Sequence, residues 1–322
     1  MDFELLWEDS INNSDFQLET YKHTHTKNDF ETIVGLTVVF SACLGVFANI
    51  IVIVLSFSHV KGDFRLFVAN LAFVDIVCGL IFMFMGYINV DRDHHFPSVF
   101  LYYMTLAFYG SFGTMICALV PISLSRGLAL SQTSLYSTFF AGRRSLLFCL
   151  VLDFLPIALL YVICVVEHDI AKPLFYVFAT ITALAYFVAF ATNYMVFRVV
   201  AKHIRVVQNL RDQARLLETR QVAIATLAQA FIPLVCQVPA FLSLSSVLLL
   251  SEPMSNEHIF TMTQVWLALS PLLDAIITIL VIKQYRKECL TCASMVGKRM
   301  WRKGTRSTMF YTDEKEAFET QL

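Results

Sequence analysis

The sequence predicts an all-α fold, a bundle of seven transmembrane helices with the N-terminus outside the cell and a short amphipathic eighth helix. Composition, the length of the apolar runs and the placement of basic residues carry this prediction. The chain has 322 residues, of which 57% are hydrophobic and 15% are charged, with a mean hydropathy of +0.65. A soluble domain needs far fewer apolar side chains. The formal net charge of -1 does not suggest a nucleic-acid partner.

The apolar runs have the length that a bilayer requires. A hydrocarbon core about 30 Å thick needs about 20 residues of helix. Seven such runs occur, and the predicted spans are 33–57, 66–89, 99–124, 146–166, 173–200, 221–250 and 259–282. The chain then divides into an extracellular segment at 1–32, the bundle at 33–282, and a cytoplasmic amphipathic helix with a tail at 283–322.

Most basic residues fall on one side of these spans. With the N-terminus outside, 20 of the 24 Lys and Arg residues lie in segments on the cytoplasmic side. Cytoplasmic loops of membrane proteins carry an excess of positive charge, so the bias predicts this orientation. The Asn-x-Ser sequon at Asn12 lies in the outer segment and is a predicted glycosylation site.

A carboxylate lies near the middle of the second span, in FVANLAFVDIVCGLIFMFM at residues 67–85. An ionisable group in hydrocarbon is costly, so we expect Asp75 to face the bundle interior and to meet polar partners. The candidate partners are Asn49, Asn70, Ser270 and Asp274. If Asp75 and Asp274 share one pocket, their negative charges repel each other. A proton on one of them, or a cation such as sodium between them, would remove this repulsion. The alternative is a polar contact that only fixes helix packing.

Five short motifs occur in the order used by a known receptor family. They are GVFANIIVIVL, NLAFVD, LSRGLALSQTSLY, CQVP and DAIITILVIKQYR, in the first, second, third, sixth and seventh spans. The chain resembles the rhodopsin-like G-protein-coupled receptors over almost its whole length. The resemblance implies that Asn49 and Asp75 join a network of water and sodium, and that Asp274 and Thr278 stand in place of the NPxxY motif.

A narrower resemblance covers the last two spans. TRQVAIATLAQAFIPLVCQVP and PLLDAIITILVIKQYR are similar to the sixth and seventh helices of the Str superfamily of nematode serpentine chemoreceptors. This implies a chemosensory receptor for a small molecule, coupled to a heterotrimeric G protein, in the plasma membrane, with the ciliary membrane of sensory neurons as one location. A peptide receptor is the alternative, because the N-terminal segment is acidic. A transporter or channel is the third candidate.

The inner end of the third span reads SRG where the rhodopsin-like family has DRY. Arg126 is retained, while Ser125 stands where the family has an acid. The resemblance implies that Arg126 takes part in G-protein coupling. The lost acid predicts a weak resting lock, formed through Tyr194 and the sixth helix. The alternative role for Arg126 is a cytoplasmic anchor.

The outer half of the bundle is predicted to hold the ligand. Alignment of the helices on the family motifs places seven candidate residues around a cavity, namely Thr105, Phe108, Tyr109, Phe112, Gln237, Phe241 and Gln264. These side chains are aromatic or polar and neutral, which favours a small apolar or hydrogen-bonding ligand. Core packing of aromatic residues at helical spacing is the alternative.

The segment after the seventh span alternates apolar and basic residues at helical spacing, which is typical of an interfacial helix lying on membrane lipid. Cys289 and Cys292 on this helix are candidates for palmitoylation. The sequence has no pair of nucleophile and base, phosphate-binding loop or metal-binding motif. We therefore expect no enzymatic activity and no cofactor or metal site of these kinds.

Overall fold

The computed structural model describes residues 29–60, 64–91, 96–131, 136, 140, 143–165, 168–203, 210–236, 257–292 and 294–295. Over these residues the chain is helical and contains no strand. In chain order the helices are α1 Asp29–Ser58, α2 Phe64–Val90, α3 Ser98–Ser131, α4 Arg143–Val165, α5 His168–His203, α6 Leu210–Cys236, α7 Glu257–Val281 and α8 at 283–292.

The all-α prediction is confirmed, and helices occupy the predicted spans. α1 to α5 and α7 each contain a segment long and apolar enough to cross a bilayer. α6 is more polar because it begins at Leu210, in the charged segment that precedes the predicted sixth span. The rest of that span, at 237–250, lies outside the described residues, as do Asn12 and the tail beyond 295.

The helices form a closed ring around α3. Each helix from α1 to α7 contacts the next, α7 contacts α1, and α3 also touches α5 and α6. In the most apolar window of α3, 67% of the residues are buried, against 22% in α5. Apolar side chains on the outer helices face lipid, which is as apolar as they are, so burial there is not required. α3 is consequently the most buried of these helices, and it contacts α2, α4, α5 and α6.

Two glycines allow α1 and α2 to touch through their backbones. A Cβ atom at Gly35 would lie 2.8 Å from the carbonyl oxygen of Gly86, and one at Gly86 would lie 2.9 Å from that of Gly35. Small residues at such a crossing let transmembrane helices approach closely and gain packing contacts. A side chain at either position has to separate the two helices.

Replacing Gly35 with Ala is expected to lower the free energy of unfolding by about 1–3 kcal/mol, the usual range for overpacking a tight contact. The added methyl group meets a backbone oxygen, which cannot rotate away. Thermal melts of the purified protein in detergent measure this loss as a lower Tm. Leu36→Ala is the control, because Leu36 is 55% exposed on the outer face. Equal Tm losses in both variants would contradict the tight crossing.

α8 is attached to the end of α1 by a buried hydrogen bond. The hydroxyl oxygens of Tyr285 and Ser56 lie 2.7 Å apart, and both residues are fully buried. The Ser56 hydroxyl donates to the carbonyl of Val52 at 2.7 Å, so the Tyr285 phenol is the donor in the bond to Ser56. Burial raises the pKa of Tyr285 to about 12. The contact fixes where α8 leaves the bundle.

The parent is expected to lose stability in alkaline solution, and Tyr285→Phe is expected to lack this loss. The pKa of Tyr285 is about 12 in the folded chain, against 10.0 for an exposed phenol. Between these values the unfolded chain releases the proton while the folded chain keeps it, so the stability present below pH 10 falls as the pH rises towards 12. The variant lacks this dependence, and at neutral pH the lost hydrogen bond costs about 1 kcal/mol.

Melts of the parent and of Tyr285→Phe across the alkaline range measure both effects. Tyr194→Phe is the matched control, because the Tyr194 ring is 45% exposed. A steep alkaline decline that persists unchanged in Tyr285→Phe would show that another group causes it.

Cys289 and Cys292 lie on the first turns of α8. Both are partly buried, and both pack against the cluster that contains Ile282 and Tyr285. The neighbouring Leu290 is 65% exposed, as expected for a helix with one face towards lipid. Palmitoylation of the two thiols stays a prediction.

Candidate functional site

Two buried carboxyl groups form the centre of the polar interior. Asp75 of α2 is 1% exposed and Asp274 of α7 is 5% exposed, and the two carboxyl groups are close enough to interact electrostatically. Among the described residues, neither side-chain oxygen of Asp75 has a hydrogen-bond partner, and Oδ1 of Asp274 has none either. The structure therefore brings the two predicted acids together. Their unsatisfied oxygens suit a proton or a cation, since buried polar atoms are nearly always paired.

Asn49 joins α1 to α7 beside this acid pair. Its Nδ2 donates to the carbonyl oxygens of Gly45 at 3.1 Å and Pro271 at 2.9 Å. Ser270, the next predicted member of the network, is fully buried and lies one turn before Asp274. The predicted network residues thus lie together on the inner faces of α1, α2 and α7.

Asn70 is not a partner of Asp75, contrary to expectation. Its Nδ2 donates to Oδ2 of Asp153 in α4 at 2.9 Å. Five residues separate Asn70 from Asp75, which places their side chains about 140° apart around α2. One faces α7 and the other faces α4. Asn70 therefore pairs with one oxygen of a separate buried acid, whose Oδ1 has no hydrogen-bond partner among the described residues.

A hydrogen-bonded group, here called the Asn193 clamp, connects α3, α5 and α6. The Nδ2 atom of Asn193 donates to Oγ of Ser123 at 2.7 Å, and the hydroxyl of Thr226 lies 2.7 Å from Oδ1 of Asn193. All three residues are at most 1% exposed. The clamp holds the cytoplasmic half of α6 against the central helix.

A second group, here called the Gln229 clamp, connects α6 to α7. The Nε2 atom of Gln229 donates to the backbone carbonyl of Asp274 at 3.1 Å and to Oγ1 of Thr278 at 2.9 Å. Gln229 lies one turn from Thr226 along α6, and its side chain is 2% exposed. The Gln229 clamp therefore attaches α6 to the backbone of the residue whose carboxyl group faces Asp75.

Arg126 lies beside the Asn193 clamp at the inner end of α3. The centre of its guanidinium group is 4.8 Å from the centroid of the Phe64 ring, which opens α2. Ser125, in the place of the family's acid, donates to the carbonyl of Ile122 at 2.9 Å. The serine hydroxyl is therefore bonded within its own helix turn, and α2 provides a contact for the cation.

The sequence predicted that Tyr194 contacts α6, but in the structure the preceding residue makes that contact. Tyr194 is 45% exposed, and its ring lies 5.7 Å from the guanidinium of Arg198. Asn193, the preceding residue, is fully buried and contacts α6. Because one residue turns a helix by about 100°, the two neighbours face opposite surroundings. The contact of α5 with α6 thus uses an amide in place of the predicted phenol.

The described ligand candidates lie in the outer half of the bundle without forming one cluster. Phe108 is 2% exposed and stacks edge to face on Phe82 at 5.6 Å. Phe112 belongs to a separate cluster with α4 and α5. The Oε1 atom of Gln264 accepts a hydrogen bond from Nδ2 of Asn89 at 2.6 Å, which joins α7 to α2.

The remaining ligand candidates lie outside what the structure describes. These are the side chains of Thr105 and Tyr109 and the whole of Gln237 and Phe241. The ligand site as predicted therefore stays a prediction. The described part offers buried aromatic rings and one amide pair that spans two helices.

Sequence reasoning missed both clamps. Asn193, Thr226 and Gln229 are polar residues inside otherwise apolar helices, which is the signal that identified Asp75. An amide in hydrocarbon also needs a hydrogen-bond partner, although leaving it unpaired costs less than leaving a carboxylate unpaired. Applied to every Asn and Gln within the spans, the same rule finds Asn193 and Gln229.

Comparison with known proteins supports the narrower of the two resemblances. A family model, serpentine type 7TM GPCR chemoreceptor Srd, matches residues 166–291, a stretch that contains α5 to α8. Srd is a nematode family of the Str superfamily, so the predicted resemblance is confirmed. No curated protein matches the chain. The match covers less than half of the chain, which is thus similar to the Srd chemoreceptors in the segment that holds most of both clamps. Its described helices include six that are long and apolar enough to cross a membrane.

Proposed function

We propose that this receptor binds a small molecule in its outer half and signals through a heterotrimeric G protein at its cytoplasmic face. The observation that carries the proposal is the double attachment of α6, through Thr226 to α5 and through Gln229 to α7. Switching receptors commonly work by moving one packed helix between two discrete arrangements. α6 has attachments that such a movement breaks.

The strength of these attachments suits a switch. A neutral hydrogen bond contributes about 0.5–1.5 kcal/mol net, so the bonds from Thr226 and Gln229 together hold α6 by about 2–4 kcal/mol. A ligand shifts such an equilibrium only through its different affinity for the two states, and allosteric coupling is commonly about 1–3 kcal/mol. The clamps are therefore strong enough to define a resting state and weak enough for ligand binding to overcome.

A small, largely neutral ligand agrees with the described outer half. Phe108 and Phe112 supply aromatic surface, and the Asn89 and Gln264 amides supply a donor and an acceptor that already join two helices. A ligand with one hydrogen-bonding group on an apolar body can replace the bond between Asn89 and Gln264 with a hydrogen bond of its own. No charged group is then buried without a partner. We place the receptor in the plasma membrane, with the ciliary membrane of sensory neurons as a location to be tested.

The proposed G-protein contact is Arg126. A guanidinium near the inner end of the central helix can donate to the carboxyl end of a partner helix once α6 moves away. Its contact with the Phe64 ring is a cation–π interaction of about 0.5–2 kcal/mol, which a charge-assisted hydrogen bond can replace.

A screen of small odorants and of basic peptides in transfected cells, read as G-protein activation, tests the proposal. We expect a neutral small molecule to activate the parent and Arg126→Ala to reduce the response at least tenfold at equal surface expression. Arg144→Ala is the control, because it removes a cation from the same membrane face. Activation by peptides alone, a ligand-gated current without any G protein, or a normal response from Arg126→Ala would each overturn the proposal.

A further inference from the structure

A groove of about 250 Å³ lies between α3 and α5, on the outer face of the bundle and in its cytoplasmic half. Its lining includes Leu124, Gly127 and Leu128 of α3 with Thr192, Met195 and Val199 of α5. Met195 is 64% exposed and Val199 is 39% exposed. Both residues lie on α5, which is long and apolar enough to span the membrane. The groove therefore opens towards the acyl chains of the inner leaflet.

Gly127 forms the floor of this groove. A Cβ atom at residue 127 would lie 2.6 Å from Cγ2 of Thr192. The backbone of α3 therefore meets the Thr192 side chain directly, and a larger residue at 127 would have to displace that side chain. The depression depends on a residue without a side chain at this crossing.

One cation lies just beyond the cytoplasmic end of the groove lining. Lys202 follows Val199 by one turn on the same face of α5, and its side chain is exposed. Arg198 lies on a different face of α5, because one residue turns a helix by about 100°, and its guanidinium lies 5.7 Å from the centroid of the Tyr194 ring. Cations at this depth attract the anionic lipids that are concentrated in the cytoplasmic leaflet.

We propose that the groove is a binding site for an anionic glycerophospholipid, with one acyl chain between α3 and α5 and the headgroup on Lys202. The groove is smaller than the range of about 300–1,000 Å³ that suits drug-sized ligands, so a linear methylene chain fits it better than a fused ring system. A zwitterionic lipid can fill the groove but gains less from Lys202. We therefore expect a preference of about fivefold for the anionic lipid.

The site is independent of the ligand and of the G protein proposed above. It uses the outward faces of α3 and α5, whereas Ser123 and Asn193 use their inward faces. A lipid held there contacts the same two helices that the Asn193 clamp connects.

Photo-crosslinking in vesicles tests this proposal on the full chain. The probes are phosphatidylserine and phosphatidylcholine with the same diazirine-labelled acyl chain, each diluted into phosphatidylcholine vesicles. Mass spectrometry then measures labelling of the peptides that contain 124–130 and 192–199. We expect at least fivefold more labelling by the phosphatidylserine probe. Equal labelling by both probes would overturn the proposal.

Two pairs of variants separate the acyl-chain contact from the charge. Val199→Phe fills the groove and should abolish labelling of both segments, while Val177→Phe, on the 45% exposed outer surface of the same helix, should not. Lys202→Gln should reduce the phosphatidylserine preference about fivefold, while Lys287→Gln on α8 should leave it unchanged. Lys202 is exposed, so this variant is decisive even if Val199→Phe folds poorly. Unchanged labelling in Val199→Phe, or unchanged preference in Lys202→Gln, would overturn the site.

Discussion

Gln229→Leu is expected to raise signalling in the absence of ligand by about five- to 150-fold. The variant keeps the volume of the side chain but removes the bonds to the Asp274 carbonyl and to Thr278. Two neutral hydrogen bonds hold α6 by about 1–3 kcal/mol, and each 1.4 kcal/mol changes an equilibrium about tenfold. Leu is tolerated at a buried helical position, so the fold itself should persist. Basal G-protein activation, normalised to surface expression, measures the effect.

Gln221→Leu is the matched control for this variant. It removes an amide from the same helix, nearer the cytoplasm, where Gln221 accepts a weak bond from the backbone N–H of Lys283 at 3.3 Å. We expect its basal signalling to stay close to that of the parent. A basal level in Gln229→Leu that equals the control would mean that the Gln229 clamp does not restrain α6.

Asp75→Asn is expected to abolish the sodium dependence of signalling. In the parent, two repelling carboxyl groups are buried with oxygens that lack hydrogen-bond partners among the described residues. A cation between them relieves this repulsion and favours the packing that creates the site. At ten times its Kd, such a cation stabilises that state by about 1.4 kcal/mol, which is a tenfold change in the basal population. Asn has nearly the same shape without the charge.

The measurement is basal and ligand-induced signalling with sodium chloride or with choline chloride at the same ionic strength. Asp153→Asn is the matched control, because Asp153 is also a buried acid but bonds to Asn70. We expect sodium to lower basal signalling in the parent and in the control, and to have no effect in Asp75→Asn. If the sodium response of Asp75→Asn matches that of the parent, the two acids do not share a cation site.

Hydropathy was sufficient to predict where the described helices lie, while the orientation that the positive-inside bias indicates stays a prediction. Hydropathy predicted helix ends less well. α3 continues to Ser131, past the predicted end at 124, and α5 continues to His203, past 200. Hydropathy reports where a helix leaves the hydrocarbon, whereas the backbone remains helical into water as long as its residues permit it.

The approach of Asp75 to Asp274 followed from the energy of a charge in hydrocarbon, because that energy fixes which way a side chain must face. The partner of Asn70 and the choice between Asn193 and Tyr194 did not follow. Each depends on the rotation of a helix about its own axis, which is decided by packing against all neighbours together. Asn193 and Gln229 were not predicted as contacts, although a buried amide needs a hydrogen-bond partner, as a buried carboxylate does.

The likeness to Srd chemoreceptors and the clamps meet in the same segment of the chain, since α5 to α7 hold Asn193, Thr226, Gln229 and Thr278. The segment that resembles the Srd family is therefore also the segment in which we propose the switch. The shared physical basis is that polar groups inside lipid have few alternative partners, so they favour discrete packings over a continuum.

A distance measurement between α6 and α2 tests this account most directly. Spin labels at Leu217→Cys and Leu66→Cys, both 44% exposed in the parent, report the separation of the two helices by double electron–electron resonance after the exposed native cysteines are replaced. The account predicts one dominant distance in the ligand-free parent and a second, longer distance that gains population in Gln229→Leu. An identical distance distribution in parent and variant would contradict it.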